Sequence, residues 1–372
     1  MSAPRRLRAV LRLLWVAVCA LAIGGLAAEL WLQIERRAAE RAAGRFAGRN
    51  VFDVAALSEG RGETLWEVPG ESYRPGARLE LEVAGERYAI AINSHGFRDR
   101  EVSLRKPEGV YRVVCVGGST TVQGRTNAET WPALLQQRLD PLPDGRRVEV
   151  LNLGINGTGT DFWLARRERL ERLYAFEPDL VVQYAFVNDL FWKELPRYAR
   201  RHPWRAELGR SLLLSRLRPL PVGELERHLG RTLIRLREMS EAARARGVAY
   251  LAGSFAGPDP ERASPEFRRY LDSNTERWGA SLRLRYYRDY HGLLRRYQAL
   301  FDAFAARGEV ATARVHPGIE DPALYVDLCH MTPEGIAALA QAFAAPVLRL
   351  ATEGAGGPAA SAPPAPVAAA PN

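Results

Sequence analysis

The sequence predicts an α/β protein, in which helices cover both faces of a parallel sheet, preceded by a transmembrane helix and a small β-rich extension. Two observations predict this fold class. From about residue 108 onward, short β-branched runs alternate with longer helical patterns, which is typical of parallel strands joined by right-handed crossovers. An uncharged apolar run also lies close to the N-terminus.

The composition is that of an ordinary globular protein, with 372 residues of which 47% are hydrophobic and 26% charged. The formal charge of +9 is carried almost wholly by arginine. It is interpreted either as a solvated surface or as suited to contact with anionic partners such as lipid headgroups, acidic glycans or nucleic acid. Three cysteines, Cys19, Cys115 and Cys329, suggest no disulfide framework, and no paired-cysteine zinc spacing occurs.

The apolar run from Leu13 to Ala28 contains no charged residue and follows several arginines. A bilayer requires a span of about 20 apolar residues. We expect residues 1–34 to form an uncleaved membrane anchor, with the large domain outside the cytoplasm. The alternative is a signal peptide cleaved near Gly25-Leu26-Ala27, which would release a secreted protein. Nucleic acid is not an expected partner of a domain outside the cytoplasm.

Residues 35–107 are interpreted as a helical stalk followed by the β-rich extension. Apolar residues alternate from Arg78 to Ile92, which predicts a β-hairpin. The hairpin runs into a turn-rich stretch from Asn93 to Asp99. Residues 108–352 form the main domain. Residues 353–372 are rich in Ala and Pro, and predict a disordered tail.

The main domain contains a regular alternation of strand and helix patterns. Strands are predicted at 111–116, 148–153, 180–187, 248–255 and 310–315, and helices at 129–139, 161–174, 224–246, 291–307 and 334–351.

Ligands of parallel α/β sheets bind beyond the carboxyl ends of the strands. Polar and glycine-rich blocks stand at three of these ends, and a fourth block precedes the last helix. We expect all four on one rim of the sheet. The blocks are Gly117-Gly118-Ser119-Thr120, residues 152–157 (Asn-Leu-Gly-Ile-Asn-Gly), Val187-Asn188-Asp189, and Asp327-Leu328-Cys329-His330.

These blocks hold the groups that acyl transfer requires. A serine hydroxyl becomes a good nucleophile when a base takes its proton and a third group orients that base. Ser119, His330 and Asp327 can fill these roles, and the spacing of three residues lets Asp327 reach His330 within one turn. The oxyanion needs hydrogen-bond donors. We predict the backbone N–H groups of Ser119 and Gly154, and the side-chain amide of Asn188.

Other interpretations of the blocks are weaker. The glycines at 154, 157 and 159 have the wrong order for a dinucleotide fingerprint, and no phosphate-binding Gly-Lys-Ser/Thr loop occurs, so no cofactor is predicted. Asp327 and His330 could ligate a metal, but no nearby third ligand stands out, and no metal is predicted. The Gly-x-Ser-x-Gly pentapeptide of other serine esterases is absent, because Thr121 stands where the second glycine belongs.

The order Gly-Gly-Ser, Asn-x-Gly-x-x-Gly, Asn-Asp and Asp-x-x-His resembles the SGNH/GDSL hydrolase superfamily, over roughly residues 111–351. The resemblance implies a three-layer α/β/α fold of flavodoxin-like type and ester hydrolysis, often on lipids or glycans. It also implies Ser119 as nucleophile, Gly154 and Asn188 in the oxyanion hole, and Asp327 with His330 completing the triad. Phe186 departs from the family pattern, which has glycine there, and we expect it to reshape the pocket wall.

We therefore expect a serine esterase that hydrolyses O-acyl esters, foremost acetyl esters, on cell-envelope glycans. The alternatives are an O-acyltransferase with the same triad, a lipase or thioesterase acting near the bilayer, and an inactive scaffold. Residues 191–218 contain Trp192, Trp204 and seven arginines. They are interpreted either as a solvated insertion or as a rim that binds an anionic glycan or lipid headgroup.

Overall fold

The computed structural model describes residues 3–47, 65–68, 71–83, 86–217, 222–280 and 284–353. The predicted tail and residues 48–64 of the stalk lie outside this part of the chain. The elements, in chain order, are α1 (Ala3–Ala47), β1 (Trp66–Val68), β2 (Ser72–Tyr73), β3 (Arg78–Val83), β4 (Glu86–Ala91), β5 (Val110–Gly117), α2 (Ser119–Val122), α3 (Trp131–Leu139), β6 (Arg147–Asn152), α4 (Arg167–Tyr174), β7 (Leu180–Tyr184), α5 (Leu195–Arg201), α6 (Pro203–Leu208), α7 (Leu212–Leu217), α8 (Val222–Arg244), β8 (Ala249–Gly253), α9 (Pro265–Trp278), α10 (Tyr287–Ala306), β9 (Ala311–Ala313) and α11 (Pro333–Glu353).

The central sheet has five parallel strands in the order β6-β5-β7-β8-β9. Helices α3 and α11 pack together on one face, and α8 and α10 pack together on the other. The predicted parallel α/β fold with helices on both faces is confirmed. The chain runs from β5 to one neighbour, β6, and then returns to the other, β7. This reversal of direction opens a crevice at the carboxyl ends of β5 and β7, where such sheets bind ligands.

The core is formed by apolar strands and by stacked aromatic rings. Val113, Val114 and Val116 of β5 are fully buried. Two ring pairs pack against the sheet, with centroids 4.9 Å apart in each pair: Tyr184 on Phe255 and Trp131 on Phe343. Burying a side chain of this size contributes about 1.5–3 kcal/mol to stability. The sheet edge that carries the polar blocks therefore rests on a rigid base.

Most elements of the main domain lie where the sequence predicts them, with two differences. The helix predicted at 161–174 begins only at Arg167, because residues 158–161 are held in a turn in which Thr160 N–H donates to Asp189 Oδ2 at 2.9 Å. Helix α9 was not predicted. Its start nevertheless carries an N-cap signal, since Ser264 Oγ accepts from Phe267 N–H and Pro265 occupies the first turn.

The predicted hairpin is present as β3 and β4, paired from Arg78 opposite Ala91 to Val83 opposite Glu86. The loop that follows, from Asn93 to Asp99, is fastened to the main domain by two buried side chains. Arg98 donates to the carbonyl oxygens of Val122 at 2.6 Å and Gly124 at 2.8 Å. Asp99 Oδ2 accepts from Asn152 N–H at 2.8 Å. The extension thus buttresses the ends of both α2 and β6.

Helix α1 is 45 residues long, and its stretch Leu7–Ala38 is long and apolar enough to cross a membrane. Length and composition fit an anchor or a signal sequence equally well. The second half of α1 also contacts the main domain. Arg36 forms an ion pair with Glu276 of α9 at 2.6 Å and donates to the carbonyl oxygens of Asp272 and Arg285.

Candidate active site

Ser119 stands at the tight turn between β5 and α2. A Cβ on Gly117 would come within 2.3 Å of Tyr184 O, and one on Gly118 within 2.5 Å of Asn188 Nδ2. The two glycines are therefore required for the close approach of β5, β7 and the loop after β7. The turn places Ser119 at the first position of α2, at the carboxyl end of β5, with 5% of the residue exposed.

The segment before α11 brings His330 and Asp327 to this serine. His330 Nε2 lies 2.8 Å from Ser119 Oγ, and His330 Nδ1 lies 2.8 Å from Asp327 Oδ2. With the proton on Nδ1, the ring donates to the carboxylate and leaves Nε2 free to accept the serine proton. The structure thus joins Ser119 to the distant pair Asp327 and His330, as the sequence predicts, through two hydrogen bonds of 2.8 Å.

Asp327 is held as a carboxylate. Burial raises its pKa, but the adjoining His330 and the N–H groups of Cys329 and His330 outweigh that effect, so the pKa lies below its ordinary value. Those N–H groups donate to Asp327 Oδ1 at 2.9 and 2.7 Å. One carboxylate oxygen is consequently fixed by the backbone while the other orients the imidazole.

The predicted oxyanion donors differ in whether another acceptor already occupies them. Asn188 Nδ2 donates to Thr158 O at 2.9 Å and lies beside Gly118, which leaves its second amide hydrogen for a ligand. Gly154 N–H, in contrast, donates to Asn152 Oδ1 at 3.0 Å. It is therefore occupied in this structure.

Gly157 was not predicted as a donor, yet its position suits the role. It has φ of 78°, is exposed, and its N–H has no acceptor in the described part of the chain. The next residue, Thr158, donates through Oγ1 to Gly117 O at 3.1 Å, so the loop closes onto the serine turn. Sequence reasoning missed it because Gly154 and Gly157 look equivalent until the Asn152 side chain takes one of the two N–H groups.

A buried glutamine links the serine helix to the histidine segment. Gln123 Nε2 donates to Thr120 O at 3.0 Å, and Gln123 Oε1 accepts from Met331 N–H at 2.8 Å. Gln123 lies four residues after Ser119, one helical turn along, and this spacing is its only sequence signal. Its own backbone N–H donates to Ser119 O at 2.9 Å, so Gln123 ties the residue after His330 to the helix that carries Ser119.

Aromatic side chains form one wall of the site. The Trp278 ring lies edge-on to His330, with centroids 5.9 Å apart, and Trp192 stacks on Trp278 at 6.4 Å with 56% of its surface exposed. Phe186, which we expected in the pocket wall, is buried and stacks on Tyr297 at 3.9 Å. Trp278 is therefore the aromatic neighbour of the reacting groups.

The Cys329 side chain lies beside His330, with its Sγ 3.7 Å from His330 Nδ1. Burial raises the pKa of this thiol well above its ordinary value, so it stays protonated. Ligand atoms of Asp327, Cys329 and His330 all lie within 4.8 Å of one another. A metal ion bound there would have to displace a hydrogen bond from His330 to Ser119 or Asp327.

Two further histidines are buried and hydrogen-bonded to side chains. His228 Nδ1 lies 3.0 Å from Glu194 Oε2, and His316 Nδ1 lies 2.9 Å from Ser254 Oγ. In both cases the partner lies in a distant segment of the chain.

The family model for GDSL-like lipases and acylhydrolases matches residues 115–338. No curated protein matches the chain. Similar solved structures include LAE5, an α/β hydrolase enzyme from the metagenome of Lake Arreo, Spain, with 20% identity, 64% of this chain and 96% of that chain covered, and a TM-score of 0.39. TesA has 20% identity, 64% and 99% coverage and a TM-score of 0.38. A catalytic mutant of Axe2, an acetylxylan esterase from Geobacillus stearothermophilus, has 17% identity, 64% and 94% coverage and a TM-score of 0.39.

Proposed function

Since this chain belongs to the GDSL-like lipase/acylhydrolase family and is an ester-bond hydrolase, we propose that it is a serine esterase with Ser119 as nucleophile and His330 as base. The observation that carries this proposal is the pair of 2.8 Å contacts that His330 makes to Ser119 Oγ and Asp327 Oδ2. That geometry satisfies the hydrogen-bond requirement for a nucleophile, its base and the group that orients the base.

In the proposed reaction, Ser119 Oγ attacks the ester carbonyl while His330 Nε2 takes the hydroxyl proton. Asp327 stabilises the resulting imidazolium through Nδ1–H. His330 then returns that proton to the departing alcohol oxygen, leaving an acyl-serine. Water attacks the acyl group next, again losing its proton to His330, and the carboxylic acid leaves as Ser119 regains its hydrogen.

The oxyanion that forms in each half-reaction requires donors already in place. We propose Ser119 N–H and the Asn188 amide, as expected from the sequence, with Gly157 N–H as the third donor. Gly154 N–H becomes available only when the bond to Asn152 Oδ1 breaks. Each properly placed donor is worth about 2.7–4 kcal/mol of transition-state stabilisation.

We propose small O-acyl esters, foremost acetyl esters of cell-envelope glycans, as substrates. The exposed Trp192 and its neighbour Trp278 support this, because they offer a flat apolar platform next to His330 on which a sugar ring can stack. The same triad could pass the acyl group to a sugar hydroxyl instead of water, so transfer is the second candidate. The apolar stretch of α1 supports membrane anchoring, with the catalytic domain outside the cytoplasm.

The test compares hydrolysis of p-nitrophenyl acetate by the full chain in neutral detergent with that of Ser119→Ala. We expect kcat/KM to fall by at least about 10⁴-fold. Trp192→Ala should raise KM for an acetylated oligosaccharide and leave p-nitrophenyl acetate hydrolysis unchanged. Acetylation of an added unmodified oligosaccharide would identify a transferase. A wild-type rate equal to that of Ser119→Ala would contradict the serine mechanism and favour the scaffold interpretation.

A further inference from the structure

A cavity of about 260 Å³, partly open to solvent, lies between α1 and the catalytic domain and is lined by α1, α7, α9 and the start of α10. It is separate from the active site, which lies at the other end of α9. Leu32 and Leu212 give it an apolar side, and charged side chains give it a polar one. An amphipathic cavity of this kind fits a ligand that is itself part apolar and part charged.

The polar side of the cavity is strongly basic. It holds four arginines against two carboxylates, Glu35 and Asp272. Two of these arginines are already committed: Arg36 pairs with Glu276, and Arg288 donates to Arg216 O and lies 3.6 Å from Asp289 Oδ1.

The other two arginines are Arg216 and Arg269. Neither has a carboxylate within 4.0 Å in the described ranges of the chain. Together with Arg36 and Arg288 they outnumber the two carboxylates of the cavity, Glu35 and Asp272, and this excess of positive charge favours a bound anion. Arginine forks match the oxygens of a phosphate group with paired hydrogen bonds.

The position of the cavity along α1 indicates where that anion would come from. Leu32 and Arg36 lie at the carboxyl end of the apolar stretch Leu7–Ala38, while Trp31 and Ile34, on the other side of the helix, are exposed. Tryptophan at the end of an apolar span is typical of the membrane interface. The cavity would therefore open at the depth of the lipid headgroups.

Glu29 of α1 holds the catalytic domain close to the depth of the lipid headgroups. The Glu29 carboxylate accepts from Ser211 Oγ at 2.7 Å and from Leu212 and Leu213 N–H at 2.9 Å, which caps the start of α7 from within the apolar stretch of α1. Helix α7 is thereby held against the anchor. Its Leu214 and Leu217 are 40% and 67% exposed, respectively, as expected of side chains that enter a bilayer surface.

We propose that this cavity binds the phosphate headgroup of an anionic phospholipid, with Arg216 and Arg269 on the phosphate and the acyl chains beside Leu32 and Leu212. The proposal rests on the membrane anchoring proposed above. The bound lipid joins α1 to α9, and α9 ends at Trp278 beside His330. The lipid thus fixes how the active site is oriented relative to the membrane.

The experiment measures the thermal unfolding midpoint of the full chain in a neutral maltoside detergent. The probes are dihexanoyl phosphatidylglycerol, dihexanoyl phosphatidylcholine and inorganic phosphate. A ligand that binds only the folded state raises Tm, by roughly 3–5 °C for a chain of this size at about 100 times its Kd. We expect this rise with phosphatidylglycerol only. It should vanish in Arg216→Gln/Arg269→Gln and persist in the charge-matched control Arg227→Gln/Arg268→Gln, which changes exposed arginines of α8 and α9.

Three results would overturn the proposal: an equal rise with phosphatidylcholine, an equal rise with inorganic phosphate, or a rise that survives in the cavity variant. Hydrolysis of p-nitrophenyl acetate separates this proposal from the esterase proposal. The cavity variant should hydrolyse it at the wild-type rate, and Ser119→Ala should keep the lipid-dependent rise in Tm. Loss of either property alone rejects only the proposal to which that property belongs.

Discussion

The described part of the chain contains two Ser–His–Asp clusters, whose hydrogen bonds differ in ways that suit different roles. The first is Ser119, His330 and Asp327, and the second consists of Ser254, His316 and Asp302. Both serines follow a parallel strand at the same edge of the sheet, Ser119 after β5 and Ser254 directly after β8. In both, the serine hydroxyl lies within 2.9 Å of a histidine ring nitrogen. Residue types and strand ends therefore cannot tell the two apart.

The two serine hydroxyls differ in their other partners. Ser254 is fully buried, and its Oγ accepts from Val315 N–H at 2.9 Å and His316 N–H at 3.2 Å. Its lone pairs are committed to the backbone. For Ser119 Oγ, the hydrogen bond to His330 is the only one made with described residues. An attacking oxygen needs an uncommitted lone pair, and only Ser119 offers one.

The histidines are turned in opposite directions. His330 presents Nε2 to the serine and Nδ1 to Asp327, whereas His316 presents Nδ1 to the serine and its Nε2 lies 3.7 Å from Asp302. The Asp302 carboxylate also accepts two hydrogen bonds from Arg314, at 2.7 Å from Nε and 2.8 Å from Nη2. The orientation of the imidazole ring and an uncommitted serine hydroxyl therefore distinguish the proposed catalytic cluster from the second cluster.

The largest expected contrast comes from the two aspartates. Asp327→Asn should lower kcat for p-nitrophenyl acetate by about 10⁴-fold, because the amide favours the wrong imidazole tautomer and cannot stabilise the imidazolium. Asp302→Asn is the matched control and should keep kcat within about twofold of wild type. Steady-state kinetics on both variants checks this. Equal losses in the two variants would mean that the second cluster also takes part in the reaction.

The second contrast concerns stability. Ser254→Ala removes the acceptor of His316 N–H and leaves that buried group unsatisfied, whereas Val315 N–H keeps a second acceptor in Ala313 O. We expect a loss of about 1–3 kcal/mol in the free energy of unfolding, with activity per folded molecule unchanged. Ser119→Ala should abolish activity and leave the free energy of unfolding nearly unchanged. Denaturant titration with parallel rate measurements would reject the comparison if Ser254→Ala were inactive while folded.

Features set by local spacing could be predicted from the sequence. Three such features are the glycine pair that precedes Ser119, the three-residue spacing of Asp327 and His330, and the alternating strand pattern. The structure places Ser119, Asp327 and His330 together. The resemblance to a known family supplied their order. The parallel fold followed from the same patterns.

Features set by distant partners could not be predicted. Gln123 finds its acceptor role only when Met331 packs against α2. Arg98 finds its acceptors only when the extension folds onto the carbonyl oxygens at the end of α2. Nothing near His316 in sequence marks Ser254 as its partner. Each of these side chains has an environment that is assembled from remote segments.

Gln123 tests a smaller effect at the first cluster. Gln123→Met keeps the side-chain volume but removes both hydrogen bonds, so the segment carrying His330 can shift relative to Ser119. We expect kcat for p-nitrophenyl acetate to fall about 10-fold while KM changes less than about twofold. The control is Gln298→Met, since Gln298 donates to Phe255 O at 3.1 Å beside the second cluster. A similar fall of kcat in the control would show that general loosening, and not the link between Ser119 and His330, is responsible.

The smallest expected effect is the pH dependence of stability that His316 contributes. Burial lowers the pKa of His316, and the nearby Arg314 and Arg295 lower it further. The carboxylates of Asp302 and Glu320 raise it, but not enough to compensate. The unfolded chain therefore binds the proton at a higher pH, and stability falls as the pH drops below the ordinary value of 6.5. His316→Gln should accordingly lose less free energy of unfolding than wild type between about pH 7.5 and pH 5.5. Equal losses in both proteins would mean that His316 accepts a proton as readily as a solvated histidine. The second cluster would then stabilise a protonated histidine, a property that we expect only of the first cluster, in which Asp327 orients His330.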